Sequence, residues 1–335
     1  MNSCDAAAGL IDVHTHVVPA EFPANPSPAT NARWPCMCVQ AAGQRVLTID
    51  GKPFRAVDAR AWEVDARLAT MDRDGVALQV LSPMPELLSY WFDERDALSM
   101  THYVNATLSA MVERAPSRFR ALAMVPLQYP ALATRELSRV KAEGFAGVEI
   151  GSNINGVVPG DARFIEFYAE AERLGLAIFV HALHPIGAER LQAFPDLVPF
   201  AAFPLDTGLA AISLIRAGVP ERLPRLRIGF SHGGGAIVPL VHRLHQGWSL
   251  SGGFDGALPQ SPHHYAAHFY YDSLVYDAGY LRYLLAEFAP GQGFVGTDYP
   301  FAIEQTDPAG FVRTVGTADA SSLICGAAAR FLGEA

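Results

Sequence analysis

The chain has 335 residues, of which 50% are hydrophobic, 10% aromatic and 18% charged. That is room for one large α/β barrel or two ordinary domains, and it suits a compact enzyme rather than a disordered or coiled-coil protein. The formal net charge of −9 argues against nucleic-acid or anionic-membrane binding but leaves room for a small anionic substrate met by local arginines.

Taken in chain order, short runs rich in Val, Ile and Phe predict eight strands. They lie at Leu10–Val13, Ala77–Leu81, Arg120–Val125, Gly147–Ile150, Ala177–Val180, Arg227–Phe230, Phe269–Asp272 and Gly293–Gly296. Helical patterns fill the intervals. Asp65–Asp74 stops at Gly75, Asp93–Arg114 stops before Pro116, Ala131–Glu143 stops at Gly144, and Arg163–Leu174 stops at Gly175. Asp206 is read as a cap for Gly208–Ala217, followed by Ala236–Gln246, Ala278–Phe288 and a last helix over Ser321–Leu332. This alternation predicts parallel βαβ units, and eight of them predict a (β/α)₈ TIM barrel over 1–335. Pro19 to about Arg60 breaks the pattern. It reads as a β-hairpin insertion after strand 1, with Val39, Val46–Ile49 and Phe54 as its apolar positions, and its place on the site face suits a lid. No dinucleotide fingerprint follows the first strand, and Gly233-Gly234-Gly235 is not a P-loop.

Four cysteines, Cys4, Cys36, Cys38 and Cys325, are too few for a disulfide-built secreted domain. Cys36 and Cys38 lack the companion ligands of a structural metal site, so reduced thiols are expected. No basic segment precedes Ala6–Ile11 and no apolar run of about 18 residues is found. A cytoplasmic protein with neither signal peptide nor membrane span is therefore expected.

Several predicted strands end in a histidine or an aspartate: His14 and His16 in Asp12-Val13-His14-Thr15-His16, His181 after Ile178-Phe179-Val180, His232 before the three glycines, and Asp298 in Gly296-Thr297-Asp298. The C-terminal strand ends of a parallel barrel are where such folds build their sites. At strand period His14 and His16 point the same way, so both imidazoles can grip one metal. Four histidines and a carboxylate converging there predict a mononuclear transition-metal centre with a spare base. His232 is read as either a ligand or a general acid/base, and the three glycines after it would let the backbone approach a ligand closely. His184 is a candidate substrate contact. Glu149 is read as a core or supporting group near the metal.

These strings, together with Phe54-Arg55, Met71-Asp72-Arg73-Asp74-Gly75-Val76 and Gly296-Thr297-Asp298-Tyr299-Pro300-Phe301, span almost the whole chain in barrel order. In them the chain resembles the amidohydrolase superfamily, and within it the group of non-oxidative decarboxylases. The resemblance implies that His14, His16, His181 and Asp298 hold one divalent metal, zinc or alternatively manganese, and that His232 is the acid/base. It implies that Arg55 binds a substrate carboxylate from the insertion, and that Arg243 reaches a neighbouring subunit's site, which makes a homodimer. Arginine suits both roles because its planar fork grips a carboxylate bidentately. The implied reaction is decarboxylation of an unsaturated or aromatic acid. The alternative is hydrolysis of a lactone, or hydration of an unsaturated dicarboxylic acid, by the same site. Two departures are visible. Ala182-Leu183-His184-Pro185 stands where the family pattern has Pro and Trp after the third histidine, and no lysine ends strand 4. The first points to a different substrate pocket and the second to one metal rather than two.

Overall fold

A computed structural model describes residues 9–39, 45–316 and 326–334. Its strands are β1 (Leu10–Val17), β2 (Cys36–Val39), β3 (Arg45–Ile49), β4 (Lys52–Val57), β5 (Val76–Pro83), β6 (Phe119–Ala123), β7 (Gly147–Gly151), β8 (Ala177–His181), β9 (Ile228–Phe230), β10 (Tyr270–Asp272) and β11 (Gly293–Phe294). Eight of them form one sheet in the order β1-β5-β6-β7-β8-β9-β10-β11. Parallel bridges from Asp12 to Val295 and from Thr15 to Tyr299 close it, with Val13 donating to the Val295 carbonyl at 2.8 Å and His16 to the Tyr299 carbonyl at 2.7 Å. This is the expected (β/α)₈ barrel. Helices lie between the strands because each buries an apolar stripe against the sheet: helix Val64–Asp74, for example, buries Val64 and Met71 and ends at Gly75, whose φ of 71° needs no Cβ.

Inside the barrel, Val13, Val80, Leu122, Phe179 and Phe294 pack with Phe331 and Leu332 of the last helix, Ala327–Leu332. The Phe331 ring lies 5.1 Å from Phe294 and 5.3 Å from Tyr270. The interior is therefore a packed plug rather than a pore, and the site is confined to the open end. The first part of the last predicted helix, 321–325, lies outside the described residues.

Two local expectations change. The insertion is a three-stranded antiparallel sheet, β2-β3-β4, not a hairpin; residues 40–44 within it lie outside the described residues. Asp206 does not cap a helix. It sits inside helix Phe203–Arg216, accepts from Ser152 Oγ, and accepts from Asn153 Nδ2 at 2.9 Å. The helix begins earlier because Asp206 finds those donors, which is cheaper than leaving a buried carboxylate unpaired. One helix, Val198–Arg216, is long and apolar enough to cross a membrane by length and composition alone. Its buried Asp206, Ala210, Ala211, Leu214 and Ile215 instead pack it on the barrel.

Candidate metal centre

His14 and His16 project from the same face of β1, their Nε2 atoms 3.1 Å apart. His181 ends β8 and brings its ring to 4.9 Å from each of theirs, between centroids. Asp298 places Oδ1 at 2.9 Å from His16 Nε2 and 3.6 Å from His14 Nε2. All four side chains are buried, and one donor atom from each lies within 4.8 Å of the others.

The opposite edge of each ring decides where its proton sits. His16 Nδ1 lies 3.2 Å from the Pro83 carbonyl and His181 Nδ1 2.8 Å from the Ala182 carbonyl. A carbonyl only accepts, so each ring keeps its proton on Nδ1 and turns a lone pair inward on Nε2. Asp272 holds the Nδ1 proton of His14 in the same way, at 2.6 Å. His181 Nε2 and Asp298 Oδ1 are buried and meet no hydrogen-bond donor. Buried acceptors facing one another are costly, and a cation among them removes the cost. Three imidazole nitrogens and one carboxylate oxygen match a divalent transition-metal ion. The residues present therefore fit a metal.

Charge within the group is strongly shared. Burial opposes the charged form of His14, but the bond to Asp272 and the charges of Asp298, Asp272 and Glu149 outweigh it and raise His14 to about 9. Burial and the His14 charge push His16 down to about 4, and they push His181 well below its ordinary value. For Asp298, burial is overcome by the contact with His16 and the surrounding imidazoles, which hold the carboxyl below its usual range.

Asp272 is the residue that reading strand ends should have added, since the aromatic run of β10 terminates in it. It accepts from His14 Nδ1 and also from the backbone N–H groups of His232 at 2.9 Å and Gly233 at 2.7 Å. Those two bonds hold His232 at φ 55°, a left-handed conformation that persists only where its surroundings over-determine it. The His232 ring thereby stands 5.2 Å from His181 and 5.5 Å from His14, and the residue is partly exposed. Asp298 is likewise left-handed, at φ 62°, and is fixed by its N–H donating to the His14 carbonyl at 2.9 Å. The three glycines after His232 also pass close to the chain itself: a Cβ on Gly235 would stand 2.1 Å from the Pro204 carbonyl oxygen.

Arg67 carried no sequence signal. It is fully buried and donates to the His16 carbonyl at 2.6 Å, to Thr15 Oγ1 at 3.2 Å and to Gln79 Oε1 at 3.2 Å. Asp12, buried beneath, accepts from Thr297 Oγ1 at 2.6 Å, and burial raises its carboxyl to about 7. Glu149 is fully buried with neither carboxyl oxygen bonded. Burial pushes its carboxyl well above the ordinary carboxylate range, against the opposing pull of the His14 charge.

Of the two predicted arginines, Arg55 on β4 reaches the mouth. Its guanidinium lies 4.1 Å from the Phe301 ring centroid, and Phe301 stacks on His16 at 4.9 Å. Its Nε is buried without an acceptor. Burial lowers its pKa while the charges of Asp298 and Glu86 act in the other direction. Arg243 is exposed on helix Ile237–Leu250. His184 donates from Nε2 to both Glu86 oxygens at 2.9 Å and stacks on Trp91 at 5.2 Å.

A closed parallel barrel carrying three histidines and an aspartate at its strand ends defines a metal-dependent barrel enzyme. The family model described as Amidohydrolase matches residues 11–333, and the chain belongs to that family. It is 33% identical over 330 residues to 2-amino-3-carboxymuconate-6-semialdehyde decarboxylase of Dictyostelium discoideum, covering 96% of this chain and 91% of that one. The structure of 5-carboxyvanillate decarboxylase from Sphingomonas paucimobilis superposes with a TM-score of 0.80 at 25% identity, covering 98% of this chain and 99% of that one. A dihydroxybenzoic acid decarboxylase from Polaromonas sp. JS666, with bound manganese and the inhibitor 2-nitroresorcinol, shares the fold with a TM-score of 0.77 at 21% identity over 97% of each chain.

Proposed function

We propose that this chain is a metal-dependent, non-oxidative decarboxylase of an unsaturated or aromatic carboxylic acid. The observation that carries the reading is 33% identity to a muconate semialdehyde decarboxylase over a match covering 96% of the chain, joined to an intact group of four metal-type ligands. His14, His16, His181 and Asp298 would hold one divalent ion, zinc in the first instance and manganese in the second. When bound, that ion supplies Lewis acidity to the pocket.

The remaining work falls to side chains. Arg55, whose guanidinium has no carboxylate partner among the described residues, binds a carboxylate of the acid and turns binding into orientation. Phe301, packed against both Arg55 and His16, adds an apolar edge beside the guanidinium for a flat, conjugated substrate. Loss of carbon dioxide leaves an electron pair on carbon, delocalised into the π-system, and that carbon must gain one proton. His232 stands beside the ligand group and handles that proton. The insertion at 19–60 carries Arg55 and would act as the lid. We further propose a homodimer in which Arg243 reaches the neighbouring site. Phe194, Phe200 and Leu205, exposed in this chain, supply apolar surface for such a contact.

Metal content of wild type and His181→Ala, measured alongside carbon dioxide release from a panel of unsaturated and aromatic acids, tests the reading. The expected result is about one central ion per chain, lost in the variant, and carbon dioxide from one class of acid. Metal present with water gained by a lactone or a double bond, and no carbon dioxide, would replace it with the hydrolase or hydratase reading.

A further inference from the structure

We propose that His242, His245 and His263 form a second transition-metal site on the outside of the barrel, taking a borderline divalent ion such as zinc or copper. His242 and His245 are three residues apart on helix Ile237–Leu250 and so share a face. His263 lies in the first turn of the short helix Pro262–Ala266 and stands between them. Its Nε2 is 2.8 Å from His242 Nδ1, and its ring is 4.8 Å from His242 and 4.9 Å from His245. Ring spacings in the central group are 4.9–5.0 Å, and the outer rings lie as near their neighbours. Among the described residues only the central four have donor atoms all within 4.8 Å of one another, so His242 must turn for the outer three to converge on an ion.

The rings are held in part. His245 stacks on Trp248 at 5.5 Å, and Trp248 is itself fixed by donating to the Leu258 carbonyl at 2.9 Å. His245 Nδ1 is buried without a hydrogen-bond partner. His242 is exposed and free to turn toward an ion, with water completing the shell from the solvent side.

The charge balance favours a metal over protons. Among the described residues, the histidines paired with carboxylates are His14, His16, His102 and His184. None of the surface three has such a partner. Burial and the neighbouring imidazoles of His242 and His245 lower the pKa of His263. Imidazoles gathered without a carboxylate offer nitrogen lone pairs to zinc, copper or nickel and little to magnesium or calcium.

The site is read by metal stoichiometry, with no reference to any reaction. Wild type, His242→Ala, His263→Ala and the central variant His181→Ala are equilibrated with micromolar zinc, and bound zinc is counted per chain. Cobalt absorption reports coordination in parallel. Wild type is expected to take up about one ion more than either surface variant. His181→Ala should lose a different ion and keep the surface one. Folding is controlled by thermal melts, since His242 is exposed and its replacement leaves the core untouched. Equal zinc in wild type and both surface variants would overturn the proposal, as would a second ion that survives both substitutions.

Discussion

The molecule holds two gatherings of histidines, and they differ in what stands behind the rings. In the barrel mouth, His14, His16 and His181 are buried, and each has an acceptor at Nδ1: Asp272, the Pro83 carbonyl and the Ala182 carbonyl. On the outer helices, His242 and His263 meet each other at 2.8 Å with no carboxylate to brace them. The first set has its Nδ1 protons held outward and its Nε2 atoms aimed inward before any ligand arrives. The second must be organised by the ligand it binds. Position on a strand end gives preorganisation, and position on an exposed helix leaves only proximity.

The sharpest way to test this contrast is to disturb the braced set. His232→Ala removes the proton-handling ring while leaving all four ligands, so turnover should fall about 10²–10⁴-fold with central metal content unchanged. Metal lost together with activity would show that His232 is a ligand. Asp272→Asn keeps the shape but removes the anion behind His14 and should weaken central metal affinity about 10–100-fold, measured by competition with a chelator. No change in affinity would mean that bracing does not matter here.

A third test uses pH. In the protein alone His14 is raised to about 9, so its contribution to folding stability is present below its ordinary value of 6.5 and fades as pH rises through about 9. An incoming ion must displace that proton. Central metal affinity should therefore rise about tenfold per pH unit until near 9, with one proton released per ion in calorimetry across buffers. The smallest expected effect is on the unbraced side. His263→Ala should change stability by no more than about 0.5 kcal/mol in denaturant unfolding, because the ring is partly exposed and outside the core.

Much of the barrel was legible because strand and helix periods alternate along the chain, and because ligands at strand ends follow apolar runs. His14, His16, His181 and Asp298 came from that pattern and do converge. Asp272 obeys the same rule, yet its meaning lies in a bond to a residue 258 positions away, which no local window displays. Arg67 was hidden for the opposite reason. An arginine among Asp65, Ala66 and Leu68 reads as a solvated charge, and it is buried only because β1 and β5 present acceptors to it. Asp206 looked like a cap because the flanking helix could begin at either place; Ser152 and Asn153 decided the matter. The third strand of the insertion, Cys36–Val39, is too short and too exposed to announce itself.

The seam that closes the barrel has a further consequence. Thr297 and Asp12 touch although 285 residues separate them, and the same seam brings His14 and His16 against Asp298. The chain can thus be synthesised almost to completion with its ligand set unfinished. Assembly of the centre is a late event, reporting that the first and last strands have met. A nascent or clipped chain that lacks the final strand has neither a closed wall nor the carboxylate that completes the site. Chemistry and completeness are thereby inspected at one place.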